Sequence, residues 1–264
     1  MNVLFDVNAR PVIAHRGGRA RAPENTLEAM QLGIADGADA IEFDVRLSRD
    51  GEVVVIHDAT VDRTTDGSGA VDRLTLADLR SLDAACGFSR VQAHALARSA
   101  CRIPTLVEVF ESFPGTPLII EVKAPAASIL TRALIEKHGA EDRCLVDSFH
   151  SNALAVFRGS RISYGASRNG VIRLLAGSFL HARTLLSVEL SALCIPRTYR
   201  GLPLPVERLV AMVRSAGKPT HIWTVNDPGE ALEMWALGAS GIITDEVPAI
   251  LAARPRHAPF VLGS

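Results

Sequence analysis

Two carboxylates stand two positions apart in Ala40-Ile41-Glu42-Phe43-Asp44-Val45. Alternate residues of a strand share a face, so Glu42 and Asp44 sit side by side while Phe43 and Val45 take the other face. Neighbouring anions repel unless a cation or a shared proton compensates, which suggests oxygen ligands for a hard metal ion; a solvated strand end is the plainer alternative. Pro117-Leu118-Ile119-Ile120-Glu121-Val122-Lys123 repeats the spacing at the end of a second apolar run. Glu121 is a candidate third ligand and Lys123 a candidate phosphate contact, against the reading of an ion pair at the rim.

His15-Arg16-Gly17-Gly18 closes the first apolar run. An imidazole suits proton transfer near neutral pH and a guanidinium suits bidentate phosphate recognition. Pro23-Glu24-Asn25-Thr26 reads as a turn and helix cap, with Glu24 placed to orient a histidine or touch a cation's shell. Arg63-Thr64-Thr65-Asp66-Gly67 reads as a turn. Trp223, near the end of the seventh apolar run, could pack against an organic part of a substrate, whereas Trp235 on a helix belongs to the packing.

These residues need a scaffold that gathers strand ends at one mouth. Short apolar runs cover Pro11 to His15, Ala40 to Val45, Leu118 to Val122, Cys144 to Phe149, Ile162 to Ala166, Ala192 to Ile195, His221 to Val225 and Gly241 to Thr244. Helical patterns between them cover Thr26 to Ala35 capped by Asn25, Ala126 to His138, Ser151 to Arg158, Val206 to Ala216 and Pro228 to Leu237. Eight such units predict a closed (β/α)8 TIM barrel, whose chemistry lies at the C-terminal strand ends. An open doubly wound sheet is disfavoured because no Gly-x-Gly-x-x-Gly turn follows an early strand.

One barrel domain over residues 1–264 is expected, with a small insertion after the second strand at about 46–104. Asp50-Gly51 before Val53 to Ile56 signals a hairpin. With these two as the turn, Arg49 faces Glu52 and Asp44 faces His57, bringing an imidazole to the carboxylates; a bulge would shift this by one residue.

The net charge of −1 and scattered basic residues do not make the basic face of a nucleic-acid binder, so a small charged substrate is expected. Apolar residues at 48% and charged residues at 22% fit a globular protein. Cys86, Cys101, Cys144 and Cys194 form no Cys-x-x-Cys pair, so neither zinc nor a disulfide is expected. The start lacks the pattern of a secretory leader, and no run reaches the about 18 apolar residues of a membrane span, so a soluble cytoplasmic protein is expected. A serine hydrolase is disfavoured by the lack of a Gly-x-Ser-x-Gly elbow.

The sequence resembles the glycerophosphodiester phosphodiesterases in His15-Arg16-Gly17, Pro23-Glu24-Asn25-Thr26, Glu42-Phe43-Asp44-Val45, His57-Asp58, Arg63-Thr64-Thr65, Ile103-Pro104-Thr105-Leu106, Glu121-Val122-Lys123, Trp223-Thr224-Val225-Asn226 and Thr244-Asp245. The resemblance implies a TIM barrel that hydrolyses a small-molecule glycerophosphodiester to glycerol 3-phosphate and an alcohol with Mg²⁺ or Ca²⁺. His15 and His57 match the acid/base pair, Glu42, Asp44 and Glu121 the metal ligands, Arg16 and Lys123 the phosphate contacts, and Trp223 a substrate-side aromatic. His150 departs from the family pattern, and Phe88 to Arg102 matches none of it. Two alternatives accompany this reading: a lysophospholipase D acting on acylated substrates, and a non-catalytic barrel that binds phosphate ligands.

Overall fold

The apolar runs form strands because continuous Val, Ile and Leu suits a strand buried on both faces. The computed structural model describes residues 2–88, 101–180 and 189–255. In chain order its elements are β1 (Val12–His15), α1 (Leu27–Ala35), β2 (Ala40–Leu47), β3 (Val53–Val55), α2 (Leu76–Arg80), α3 (Leu106–Ser112), β4 (Leu118–Val122), α4 (Ser128–Lys137), β5 (Cys144–Asp147), α5 (Ser151–Ala155), β6 (Ser163–Tyr164), α6 (Arg168–Leu180), β7 (Leu193–Pro196), β8 (Thr198–Tyr199), β9 (Leu202–Pro203), α7 (Val206–Ser215), β10 (Thr220–Trp223), α8 (Pro228–Ala236), β11 (Gly241–Thr244) and α9 (Val247–Ala253).

Eight parallel strands run in the order β6-β5-β4-β2-β1-β11-β10-β7. The sheet curls until the Ser191 N–H donates to the Tyr164 carbonyl at 2.8 Å, bringing the approach to β7 against β6. This is the expected barrel architecture. Helices follow most strands, and α2, α3, α6 and α9 join the set drawn from the sequence, while α5 stops at Ala155 rather than Arg158.

Alternation sorts the strand residues into an interior and a helix-facing layer. Leu4 at the barrel floor packs with Ile13, Ala40, Ile119, Leu145, Cys194 and Ile243. Outward residues join helices in two cores, one centred on Ile41, Phe43, Ile120 and Phe110, the other on Val12, Ile222, Val210 and Trp235. Each fully buried Leu, Ile or Phe contributes roughly 1.5–3 kcal/mol relative to exposure. Above Ile13, Ala40 and Ile119, two residues further along each strand, come His15, Glu42 and Glu121. Thus the alternation that fills the barrel also aims the charged groups into its mouth.

The loop after β1 is laid directly on α1. A Cβ on Gly17, which has φ +88°, would meet the Met30 nitrogen at 2.7 Å, so a side chain there would force the loop off the helix. Thr26 caps α1, its Oγ1 accepting from the Ala29 N–H at 3.1 Å. Asn25, expected as the cap, instead has φ +61° and turns its side chain toward Asp44.

The hairpin register differs by one residue from the two-residue-turn expectation. Val45 pairs with Val55 and Leu47 with Val53, and the Ser48 N–H donates to the Glu52 carbonyl at 2.9 Å. Arg49, Asp50 and Gly51 therefore form a three-residue loop with Gly51 at φ +87°, the left-handed position such loops require. Ile56 faces Asp44, its N–H donating to the Asp44 carbonyl at 3.0 Å. His57, one residue beyond, accepts at its carbonyl from Arg46 Nε at 2.8 Å. Beyond the hairpin, Val54, Ile56, Val61, Val71, Leu79 and Ile103 form a small core of their own. Residues 89–100, the greater part of the unmatched Phe88 to Arg102 stretch, lie outside the described residues.

Candidate active site

Several strands contribute inward residues to the mouth. His15, Arg16, Glu42, His57, Glu121, Lys123 and Trp223 line one cavity of about 210 Å³, together with Asp147 and Phe149. Asp44 lies beneath it, 1% exposed, so all eight residues singled out for chemistry from the sequence meet at one end of the barrel.

Among the described residues, one group of carboxylates could hold a metal ion: ligand oxygens of Glu42, Asp44 and Glu121 lie within 4.8 Å of one another. An all-oxygen, anionic set fits a hard divalent cation. Lys123 Nζ stands 3.1 Å from Asp44 Oδ1 and 2.8 Å from Glu121 Oε1, and Arg16 Nε stands 3.2 Å from Asp44 Oδ2. Burial alone would raise Asp44, but Lys123 and Arg16 outweigh it and hold the carboxyl below the usual range. Glu42 has no such pair beside it; burial, then repulsion from Asp44, pushes it up to about 7. Burial also raises Glu121, with Asp44 opposing the pull of Lys123. The crowding of like charge is what a divalent cation would relieve.

Both histidines are pinned through Nδ1. His15 Nδ1 lies 2.6 Å from Asp245 Oδ1, and His57 Nδ1 lies 2.5 Å from Asp58 Oδ1. An ionised carboxylate only accepts, so Nδ1 carries the proton in each pair and Nε2 is the atom left for chemistry. Asp245 is ionised despite its burial, because His15 and Asn226 bond to it and Arg19 adds charge, holding it down at about 2. Asn226 Nδ2 donates to Asp245 Oδ2 at 2.9 Å and Arg19 Nε to Asp245 Oδ1 at 2.9 Å. Asp58 is held far below the carboxylate range first by Arg63, whose Nε donates to Oδ2 at 2.6 Å. Burial lowers His57, which favours its neutral form.

Further side chains brace these groups. Asn25 clamps Asp44 twice, Nδ2 donating to Oδ2 at 2.9 Å and Oδ1 accepting from the Asp44 N–H at 3.2 Å. Glu24 touches neither histidine nor carboxylate cluster; it accepts from Arg16 at 2.7 Å and from both terminal nitrogens of Arg63 at 3.0 and 2.7 Å. Arg63 thereby ties the hairpin extension to the loop after β1 rather than merely occupying a turn. Arg16 has φ +51°, and its N–H donates to Glu42 Oε2 at 3.0 Å. Two non-glycine residues in the left-handed region within one site mark stored backbone strain. Asp58 and Asp245 stood in the sequence within motifs of the family resemblance, without a role of their own.

Asp147, one strand over from Glu121 in register, is pushed to about 8 by burial and then by Glu121. Phe149 meets Trp223 edge to face at 6.0 Å between ring centres, forming an aromatic wall beside the cavity. His150 is exposed and precedes α5 without a side-chain capping bond.

The sequence matches the Glycerophosphoryl diester phosphodiesterase family over residues 15–249. A glycerophosphodiester phosphodiesterase of Caldanaerobacter subterraneus subsp. tengcongensis is 33% identical over 242 residues, covering 89% of this chain and 93% of that protein. A probable glycerophosphodiester phosphodiesterase 2 of Mycobacterium tuberculosis is 30% identical, covering 89% of this chain and 87% of that protein. Among solved structures, a phosphodiesterase of Oleispira antarctica in complex with the product sn-glycerol-3-phosphate superposes with a TM-score of 0.75 at 28% identity, covering 93% of this chain and 96% of that one. Among the described residues no helix is long and apolar enough to cross a membrane. With a barrel of that family's architecture, a mouth of two carboxylate-pinned histidines over three acids, and a match spanning nearly its whole length, the chain belongs to the glycerophosphoryl diester phosphodiesterase family.

Proposed function

We propose that the chain hydrolyses a glycerophosphodiester to glycerol 3-phosphate and an alcohol, with His15 and His57 as the acid/base pair and Glu42, Asp44 and Glu121 holding Mg²⁺ or Ca²⁺. Residues 1–264 act on this reading as one catalytic unit, with its insertion after the second strand. The observation that carries it is that both imidazoles keep Nδ1 on a carboxylate, at 2.6 and 2.5 Å, while lining one cavity with Glu42 and Glu121.

A phosphodiester bears one negative charge that repels a nucleophile, and its departing alkoxide needs a proton. One Nε2 takes the proton of the attacking oxygen as the new P–O bond forms. The other, protonated at both ring nitrogens in the reacting state, gives its Nε2 proton to the alcohol oxygen as the old P–O bond breaks, and such transfers contribute typically ~10²–10⁴-fold. Arg16 and Lys123 bind the non-bridging oxygens, where charge grows in the transition state. A divalent cation held by Glu42, Asp44 and Glu121 would supply Lewis-acid stabilisation of the charge that develops on the phosphoryl group. Trp223 packs against the organic part of the substrate.

Chelator-stripped protein assayed for glycerol 3-phosphate release from glycerophosphocholine, glycerophosphoethanolamine and glycerophosphoinositol, with Mg²⁺, Ca²⁺ or Mn²⁺ restored, tests the reading. His15→Ala and His57→Ala are each expected to lose at least ~10²-fold in kcat with unchanged circular dichroism. Substantial turnover in either variant would sink the acid/base assignment.

A further inference from the structure

Glu24 does not line the catalytic cavity, yet the supports of both histidines meet on it. Its Oε1 accepts from Arg16 and from Arg63 Nη2, each at 2.7 Å. Its Oε2 accepts from Arg63 Nη1 at 3.0 Å and stands 3.6 Å from Arg19 Nη1. Arg63 continues through Nε to Asp58 at 2.6 Å, and Asp58 to His57 at 2.5 Å. Arg19 continues through Nε to Asp245 at 2.9 Å, and Asp245 to His15 at 2.6 Å. Three stretches of chain are joined in this way: the loop after β1 supplies Arg16, Arg19 and Glu24, the extension after β3 supplies Asp58 and Arg63, and the turn after β11 supplies Asp245.

We propose that Glu24 is a positioning residue that sets His15 and His57 in one frame, each ring keeping its aim only while this carboxylate holds Arg19 and Arg63 together. The inference rests on the acid/base reading of the two histidines and adds the part that keeps them aligned.

A surface ion pair that serves stability alone fits these contacts less well. Exposed pairs contribute little and hold their side chains loosely. The Glu24 side chain is only 11% exposed, although its partners Arg19 and Arg63 are 41% and 48% exposed. Burial alone would raise Glu24, but Arg63 and Arg16 outweigh it and hold the carboxyl below the usual range. Without its charge, three guanidiniums would face one another with no shared counter-ion. The β2–β3 pairing ends at Val55, two residues before His57, so the ring takes its direction from Asp58, and Arg63 on Glu24 returns Asp58 to the barrel. Proton transfer demands hydrogen-bond distance to the reacting oxygens, and a misplacement of about 1 Å can cost on the order of 10²-fold.

Nuclear magnetic resonance of the full chain labelled with ¹⁵N at histidine reads both pairs without any turnover, because a proton held between Nδ1 and a carboxylate in a short charge-assisted bond resonates far downfield. His15→Gln and His57→Gln assign the two signals. Glu24→Gln, which keeps the shape and removes the charge, is expected to move both. Arg19→Gln is expected to move the His15 signal and Arg63→Gln that of His57, one arm each. A Glu24→Gln protein in which either signal keeps its wild-type position would overturn the proposal. Glu24→Asp keeps the charge on a stem one methylene shorter, and is read in the same way should Glu24→Gln not fold.

Kinetics on glycerophosphocholine supply the second readout. Glu24→Gln is expected to lower kcat by about tenfold or more with KM within about threefold, because Arg16 keeps Asp44 as a partner at 3.2 Å. A raised KM at wild-type kcat would confine Glu24 to holding Arg16 and overturn the proposal. Movement of both signals in a chain that cleaves no glycerophosphodiester would uphold the shared frame and count against the acid/base reading.

Discussion

Asp245 Oδ1 lies 2.6 Å from His15 Nδ1, joining the residue after the last barrel strand to the last residue of the first. β1 and β11 are neighbours in the sheet, with Ala14 beside Thr244, so closing the barrel is what forms the pair. Asp245 therefore fixes the tautomer and direction of His15 from outside the catalytic cavity. Asp245→Asn is expected to lower kcat by about 10²-fold, since an amide can leave Nε2 protonated instead. KM should change little, because no phosphate contact is removed. Steady-state kinetics on glycerophosphocholine check this, and a kcat within threefold of wild type would refute the positioning role.

Lys123 stands between two functions. Its ammonium sits 3.1 Å from Asp44 and 2.8 Å from Glu121, so it offsets acidic charge where a divalent cation would bind. On the proposed reading, replacing it with methionine would remove both a phosphate contact and a positive charge that competes with the cation. Lys123→Met is expected to lose ~10²–10³-fold in kcat/KM while binding Mg²⁺ or Ca²⁺ at least as tightly as wild type. Asp44→Asn should weaken the cation instead. Calorimetric titration of chelator-stripped proteins separates them, and loss of cation binding in Lys123→Met would mean that the lysine organises the site rather than shares it.

How much of this was legible in the sequence depends on how local each cause is. The barrel was legible because buried parallel strands are apolar runs broken by a charged residue at the mouth, as in Leu118–Val122 with Glu121. The side-by-side aim of Glu42 and Asp44 follows from strand alternation alone. Asp-Gly left the hairpin register ambiguous, because glycine serves two-residue and three-residue loops alike. Here Ser48 decides it locally, donating to Asp50 Oδ1 at 2.6 Å and accepting from the Glu52 N–H at 2.9 Å. The Asn25 clamp on Asp44 depends on a left-handed backbone and on a partner 19 residues away, and no periodicity carries either. The His15–Asp245 bond spans 230 residues and exists only once the barrel closes.

The loop geometry makes its own prediction. Gly51 has φ +87° with nothing within 4 Å of where a Cβ would be, so the obstacle to a side chain is the backbone alone. Gly51→Ala is expected to destabilise the fold by about 1–2 kcal/mol, the usual cost of the left-handed region for an L-residue. Activity at 25 °C should survive, since the loop is remote from the mouth. Urea unfolding measures the loss, and a stability unchanged within 0.3 kcal/mol, about the limit to which independent effects are resolved, would contradict the three-residue loop.

At the opposite end of the barrel, His221 is fully buried, with Nε2 3.0 Å from the Leu4 carbonyl and Nδ1 without a partner. A carbonyl only accepts, so Nε2 carries the proton. A Cβ on Gly241 would come within 2.4 Å of Nδ1, so the ring is pressed against that glycine and a second proton would find no acceptor. Burial accordingly lowers His221 from 6.5 to about 4, against a small pull from the Leu4 carbonyl. Between those values the unfolded chain binds a proton that the folded chain does not, so stability rises with pH there and falls on acidification. The slope from this residue is about 1.4 kcal/mol per pH unit, accumulating to about 3 kcal/mol and levelling off once the folded state also protonates. Above pH 6.5 both states hold the neutral ring and the contribution is constant. His221→Gln can still donate to Leu4 but does not titrate, so its acid limb between pH 6.5 and 4 should be shallower than wild type by that slope, whatever stability it loses at neutral pH. Urea midpoints across that range test the difference directly: parallel wild-type and variant curves would show that the histidine charges as readily inside the fold as outside it.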